Sequence, residues 1–118
     1  MEPEQIKALV KEIYHALSEK KAQDIRIIDI RDLTVVADYF LIASAGNPLQ
    51  MAALQDAVDE VLFKHGIQSK QIEGKKDSTW ILMDYEDIIV HLFTVEDRAF
   101  YDLERIWQDG VQVTPEEL

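Results

Sequence analysis

Apolar side chains recur along the chain at two different spacings, and these spacings divide it into helices and strands. The first segment carries apolar residues three and four positions apart, which predicts an amphipathic helix over residues 3–21. Asn47 and Pro48 suit the N-cap and first helical position of a second helix, with Gln50 placed as a capping-box partner. That helix is predicted to end at Gly66, which can adopt the left-handed conformation.

Between and after these helices, shorter runs have the composition of strands. β-branched residues over 25–30 predict a strand near one edge of a sheet, and 39–43 are apolar on both faces, as in a central strand. Residues 80–83 and 88–93 predict two strands of a hairpin joined at 84–87. Whether residues 67–72 form a further short strand stays open.

A third helix is predicted to start at Thr94, with Ala99, Phe100, Leu103, Ile106 and Trp107 as its inner positions. Residues 111–118 are predicted to be an acidic flexible tail. The order of elements indicates a single α/β domain over residues 1–110, with a mixed β-sheet of about five strands flanked by helices.

Composition and charge limit the classes of function. The chain has 118 residues, 47% apolar and 30% charged, as expected for one soluble globular domain. Its 12 Lys and Arg stand against 23 Asp and Glu, a net charge of −11 that disfavours binding to nucleic acid or an anionic membrane. A basic protein is the natural partner. The absence of Cys excludes disulfides and thiolate nucleophiles, and without a signal peptide or membrane span in the sequence we expect a cytoplasmic protein.

Candidate chemistry is sparse, and each candidate has a structural alternative. Asp84 and Asp87 could hold a divalent cation, but Asp is also favoured in hairpin turns, which is the preferred interpretation. His91 lies in an apolar strand and is expected to be a neutral imidazole with one hydrogen bond. The turn at Gly46 could meet a phosphate, but it lacks the length and Lys of a P-loop, so a strand-to-helix turn that needs Gly is the better interpretation. Trp80 begins a strand beside a polar loop, and both core packing and an interface role stay open.

Several fragments together match one family in order and spacing, and they span the chain from its first helix to about residue 107. They are 37–44, Glu73-Gly74, 80–85, 87–93, Arg98, Phe100-Tyr101, Leu103-Glu104 and Trp107. By these fragments the chain resembles the ribosomal silencing factors, also called Iojap-related proteins. It departs from the family at Glu86, where a Gly is frequent, and at Asn47-Pro48, where a Ser or Thr often opens the helix.

The resemblance implies a role without catalysis and without a cofactor. Family members have a nucleotidyltransferase-like fold that has lost its catalytic carboxylates. They bind protein fourteen of the large ribosomal subunit, block joining of the small subunit by occlusion, and so repress translation when nutrients are scarce. They are commonly homodimers in isolation.

From the matching fragments we take five candidate partner-binding residues around the predicted hairpin: Glu73, Trp80, Asp84, Tyr85 and Asp87. Trp80 would be the apolar anchor, and the carboxylates would pair with Arg or Lys of the partner. The alternative, that all five serve only the fold and the turn, stays open. Arg98, Tyr101 and Glu104 also match the family and are expected to pack a helix on the sheet.

Two other functions compete with this one. A small Mg²⁺-dependent nucleotidyltransferase-like enzyme would use Asp84 and Asp87 with a nucleotide at Gly46, and it needs both carboxylates on one strand face beside that glycine. The predicted hairpin instead places them on either side of a bend. A dimeric structural module without a ribosomal role is the third hypothesis.

Overall fold

Two helices and six strands make up the part of the chain that the computed structural model describes, residues 2–35, 37–69, 71–73, 80–96 and 110–118. In chain order they are α1 (Pro3–Glu19), β1 (Gln23–Asp29), β2 (Tyr39–Ala45), α2 (Pro48–Lys64), β3 (Gln71–Glu73), β4 (Trp80–Asp84), β5 (Ile88–Thr94) and β6 (Val111–Val113), followed by a 3-10 helix over Pro115–Glu117. The predicted α/β class is confirmed. The body of the third predicted helix, with Arg98, Tyr101 and Glu104, lies outside the described residues.

The strands form one mixed sheet in the order β3-β4-β5-β2-β1-β6. Among these described strands, β2 and β5 run parallel and every other neighbouring pair is antiparallel. All seven residues of β2 are buried, which confirms the prediction of a central strand. The predicted hairpin is also confirmed, because β4 and β5 pair antiparallel around 84–87.

Both helices pack on the same face of the sheet. Their apolar stripes and alternate residues of β1, β2, β4 and β5 form the larger core cluster, to which α1 contributes Ile6, Leu9, Val10, Ile13 and Leu17. Burying each such side chain contributes about 1.5–3 kcal/mol. The other face of the sheet carries a second, smaller buried apolar cluster of Ile28, Ile30, Ala37, Phe40, Ile42, Ile89 and Phe93.

The start of α2 is held by two side chains. The Asn47 Oδ1 accepts a hydrogen bond from the Gln50 backbone N–H at 2.8 Å, as predicted for the N-cap. Gln50, predicted to complete a capping box with Asn47, instead accepts from the Gly46 N–H at 2.7 Å. Its amide nitrogen donates to the carbonyls of Lys20 and Lys21, so this one side chain joins α2 to the end of α1.

The end of the chain requires a correction. Residues 111–118, predicted as an acidic flexible tail, supply β6, which pairs with β1, and the 3-10 helix. The sheet therefore has six described strands rather than about five. The sequence does not reveal β6 because two valines around one glutamine are too short a run to establish an alternating pattern. The boundary of the domain itself stays a prediction.

Candidate functional site

The two candidate residues of β4, Trp80 and Asp84, share one face of the sheet. Side chains alternate along a strand, so Ile81 and Met83 face the helices while Trp80 and Asp84 lie on the opposite face. Glu73 of β3, opposite Leu82, shares that opposite face and is exposed.

Tyr85 belongs to the helix face and is 2% exposed. Its hydroxyl donates to the carboxylate of Asp59 on α2 at 3.2 Å, and burial raises the pKa of Tyr85. A side chain with so little accessible surface cannot contact a partner in this conformation. Tyr85 therefore fixes the hairpin to α2, and the expectation that it binds a partner directly needs this correction.

Trp80 is the exposed member of an aromatic cluster formed by Trp80, His91, Phe93 and Phe40. Its ring stacks on Phe93 with centroids 5.4 Å apart and planes at 14°, and it stacks on His91 at 6.2 Å. Phe40 lies against the other side of His91 at 5.4 Å. These neighbours hold the side chain of Trp80, and because 41% of it is still exposed, it also presents apolar surface to solvent.

His91 is buried within this cluster and is uncharged. The indole Nε1 of Trp80 donates to its Nδ1 at 3.4 Å, so that nitrogen carries no proton. Burial lowers the pKa of His91 to about 4, which leaves the imidazole neutral near pH 7. The prediction of a neutral histidine with a hydrogen bond is confirmed.

Residues 84–87 form a turn, which we call the acidic hairpin, and hydrogen bonds to the backbone stabilise it. The Asp84 Oδ1 accepts from the Glu86 N–H at 2.8 Å, and the Asp87 N–H donates to the Tyr85 carbonyl at 3.0 Å. Glu86 has φ of 71°, in the left-handed region that favours glycine. The turn interpretation of Asp84 and Asp87 is confirmed, with Glu86 fully on the surface between two half-buried carboxylates.

The five candidates do not form one patch. Trp80 begins β4 and Asp84 ends it, so about 13 Å of strand separates them at 3.3 Å per residue. Glu73 lies opposite the middle of β4, since it pairs with Leu82. The site thus has an aromatic cluster at one end of β4 and the acidic hairpin at the other.

The arrangement that an enzyme of the nucleotidyltransferase type needs is not assembled in the described residues. Gly46 follows Ala45, which pairs with Thr94 at the end of β5, whereas the acidic hairpin precedes Ile88 at its start. The length of β5 therefore lies between the glycine turn and the carboxylates, about 20 Å. Across the described ranges no three His, Asp or Glu side chains are grouped to hold a metal. In the same ranges, no helix has the length and apolar composition that crossing a membrane requires.

Comparison with known proteins gives a consistent result over nearly the whole chain. A family profile described as "Ribosomal silencing factor during starvation" matches residues 3–118. The chain is 35% identical over 104 residues to Ribosomal silencing factor RsfS of Bacillus subtilis, covering 88% of each protein. It is 39% identical over 103 residues to RsfS of Zymomonas mobilis, covering 86% of this chain and 77% of that protein. It is also 36% identical to the chloroplastic protein Iojap of Zea mays, covering 83% of this chain and 42% of that one.

Solved structures agree with the fold. A crystal structure from Chromobacterium violaceum superposes with a TM-score of 0.83 at 29% identity, covering 92% of this chain and 88% of that one. Another from Bacillus halodurans gives 0.79 at 29% identity, covering 91% and 97%.

Proposed function

This chain belongs to the family of ribosomal silencing factors, and from that we propose that it binds protein fourteen of the large ribosomal subunit and prevents the small subunit from joining. A protein that acts by occupying a surface needs affinity and bulk but no reacting group. Translation would fall when nutrients are limiting, in keeping with the starvation role in the family description. The family is named for regulation, which supports an inhibitor without enzymatic activity.

One observation carries the choice of surface: Trp80 is rigidly stacked yet 41% exposed. Aromatic side chains that are already ordered lose little conformational entropy on binding, and Trp is enriched among residues that dominate interface energies. We assign Trp80 the role of apolar anchor. Three carboxylates would pair with Arg or Lys of the partner: Glu73 on β3, Asp84 at the end of β4 and Asp87 in the turn that follows. Tyr85 would hold the hairpin in place.

The overall charge fits this partner better than it fits RNA. A net charge of −11 attracts a basic ribosomal protein from a distance and is repelled by the phosphates of rRNA around it. Attraction of this kind acts mainly on the association rate. Raising the salt concentration should therefore slow association more than it accelerates dissociation.

Three further parts of the proposal rest on the resemblance to the family. They are a homodimer when the protein is free of ribosomes, the absence of a cofactor, and a nucleotidyltransferase-like ancestry of the fold. A cytoplasmic location, expected from the sequence, is also part of the proposal.

The test is binding of Trp80→Ala to purified large subunits and to isolated protein fourteen. Loss of a dominant aromatic contact is expected to weaken binding by at least about 1–2 kcal/mol, or roughly 5- to 30-fold. Phe63→Ala is the matched control, because Phe63 is the other strongly exposed aromatic side chain among the described residues, on α2 at 72% exposure.

Urea unfolding of both variants separates lost contacts from lost structure. Light scattering of mixed ribosomal subunits then measures joining directly. Normal joining in the presence of saturating wild-type protein would contradict the proposed function, and unchanged affinity of Trp80→Ala would remove this residue from the contact surface.

A further inference from the structure

We propose that the loop joining β1 to β2 supplies a second apolar contact, Leu33 and Val35, for the same basic ribosomal protein that the acidic hairpin meets. This inference rests on the proposed function and extends its contact surface to residues that the sequence analysis does not single out.

The loop exposes more aliphatic surface than a strand connection needs. Leu33 is 49% exposed and Val35 is fully exposed, at 103% of its reference area. Isolated apolar residues on a surface are ordinary, but these two are separated by a single residue and belong to one short connection. A partner that covered both side chains would remove their apolar surface from water, which favours binding.

The base of the loop is firmly held, so the exposure does not come from a loose chain. The guanidinium of Arg31 makes a two-pronged ion pair with Asp29, with Nη2–Oδ2 at 2.7 Å and Nε–Oδ1 at 3.0 Å, and this hydrogen bonding lowers the pKa of Asp29. The same guanidinium lies over the ring of Tyr39, 5.4 Å from its centroid. The Ile30 carbonyl accepts from the Leu33 N–H at 2.9 Å, which closes a turn. The backbone that carries Leu33 is therefore held before binding, which lowers the entropy cost of a contact there.

Hydrogen bonds attach the loop to the acidic hairpin. The Ile30 N–H donates to the Asp38 carbonyl at 3.0 Å, and the Asp38 N–H donates to the Asp87 carbonyl at 2.8 Å. The Tyr39 N–H donates to the same Asp87 carbonyl at 3.2 Å. The β1–β2 loop and the hairpin therefore lie side by side at one end of the sheet.

The charges beside the loop indicate which partner would cover it. Asp32 is exposed next to Leu33, and Asp84, Glu86 and Asp87 lie in the adjoining hairpin. The cation at the base of the loop, Arg31, is already engaged by Asp29. An apolar pair beside several carboxylates complements a protein surface on which Lys and Arg surround an apolar area, and it disfavours RNA or a second copy of this acidic chain.

The experiment measures the affinity of Leu33→Ser/Val35→Ser for purified large subunits at low and high salt. We expect a loss of at least about fivefold that persists at high salt, because apolar burial is not screened. Asp84→Asn/Asp87→Asn is expected to weaken binding mainly at low salt, and Asn keeps an oxygen for the turn at position 84. The matched control is Leu49→Ser/Phe63→Ser, two strongly exposed apolar residues of α2, at 83% and 72% exposure.

The outcomes distinguish this inference from the proposed function. One outcome is that wild type binds, that the carboxylate variant binds more weakly and that the loop variant binds normally. In that case the loop contact is wrong and the function stands. If wild type itself fails to bind large subunits, both are wrong. A loop variant that changes only self-association, measured by sedimentation, would assign the loop to a second copy and overturn the inference. Val35→Thr, a nearly isosteric change at a fully exposed position, repeats the test if the double variant folds poorly.

Discussion

The aromatic cluster and the acidic hairpin lie at opposite ends of β4, and different forces hold them. Trp80 is held by ring stacking on Phe93 and His91, which are themselves buried. The hairpin is held by backbone hydrogen bonds and by one carboxylate oxygen of Asp84, with Glu86 exposed and Asp84 and Asp87 half-buried. Changes in the cluster should therefore alter the stability of the domain, whereas changes in the hairpin should alter chiefly its charge.

This difference bears on how a partner would be recognised. An ordered apolar anchor contributes affinity, and exposed carboxylates contribute association rate and specificity. About 13 Å of strand separates Trp80 from Asp84, so substitutions in the two regions should add nearly independently. The surface can then be divided into two parts that are tested separately.

The largest expected effect is that of Phe93→Ala on stability. Phe93 is 0% exposed and supports the ring of Trp80, so its removal leaves a cavity in the smaller core cluster. We expect the free energy of unfolding in urea to fall by about 3–5 kcal/mol. Asp87→Asn in the hairpin is the comparison, and it should change stability by less than about 0.5 kcal/mol. Similar effects from the two substitutions would break the distinction between the regions.

Lowering the pH should lower the free energy of unfolding of the domain, because His91 is buried in the aromatic cluster. His91 has its pKa lowered to about 4 by burial, whereas an unfolded histidine has a pKa near 6.5. Between these values the unfolded chain binds a proton that the folded chain does not, so stability falls as the pH drops from about 6.5 to about 4. The full loss is up to about 3 kcal/mol.

Urea unfolding at several pH values checks this expectation. His91→Gln should remove this part of the pH dependence, and His15→Gln, at an exposed position of α1, should leave it in place. A pH profile that is the same for His91→Gln and wild type would show that the cluster does not sense acid.

The fold was predictable where the periodicity was long. α1 and the buried central strand each have enough residues to establish a pattern, and the capping role of Asn47 follows from its chemistry. β6 was not predictable, because three residues paired to a distant strand depend on contacts rather than on local pattern. The hydrogen bonds of Gln50 to Gly46 and to the end of α1 were not predictable for the same reason, because a local capping rule cannot anticipate a neighbouring helix.

The candidate site was predictable in part. Asp84 and Asp87 were expected in a turn and lie in one, because Asp favours turns through its own backbone hydrogen bonds. Tyr85 follows Asp84 in the chain but belongs to the opposite face, and its burial depends on packing against α2, a distant part of the chain. The exposure of Leu33 and Val35 gave no signal in the sequence, since apolar residues in a strand connection are equally compatible with burial.

The smallest effect concerns the backbone of the hairpin and should have the opposite sign. Glu86 has φ of 71°, a conformation that costs a residue with a Cβ about 1–2 kcal/mol and costs glycine little. Glycine loses more entropy on folding, about 0.5–1 kcal/mol, so Glu86→Gly should raise the free energy of unfolding by about 0.5–1 kcal/mol.

Glu86→Ala separates relief of the backbone from loss of the charge, because it removes the same charge and keeps the strained backbone. If alanine stabilises the protein as much as glycine does, the gain comes from reduced repulsion among the hairpin carboxylates and the backbone argument is wrong. In either case the acid sensitivity of the aromatic cluster should not change, because neither substitution alters Trp80, which donates to His91, and both keep the position-86 N–H that donates to Asp84.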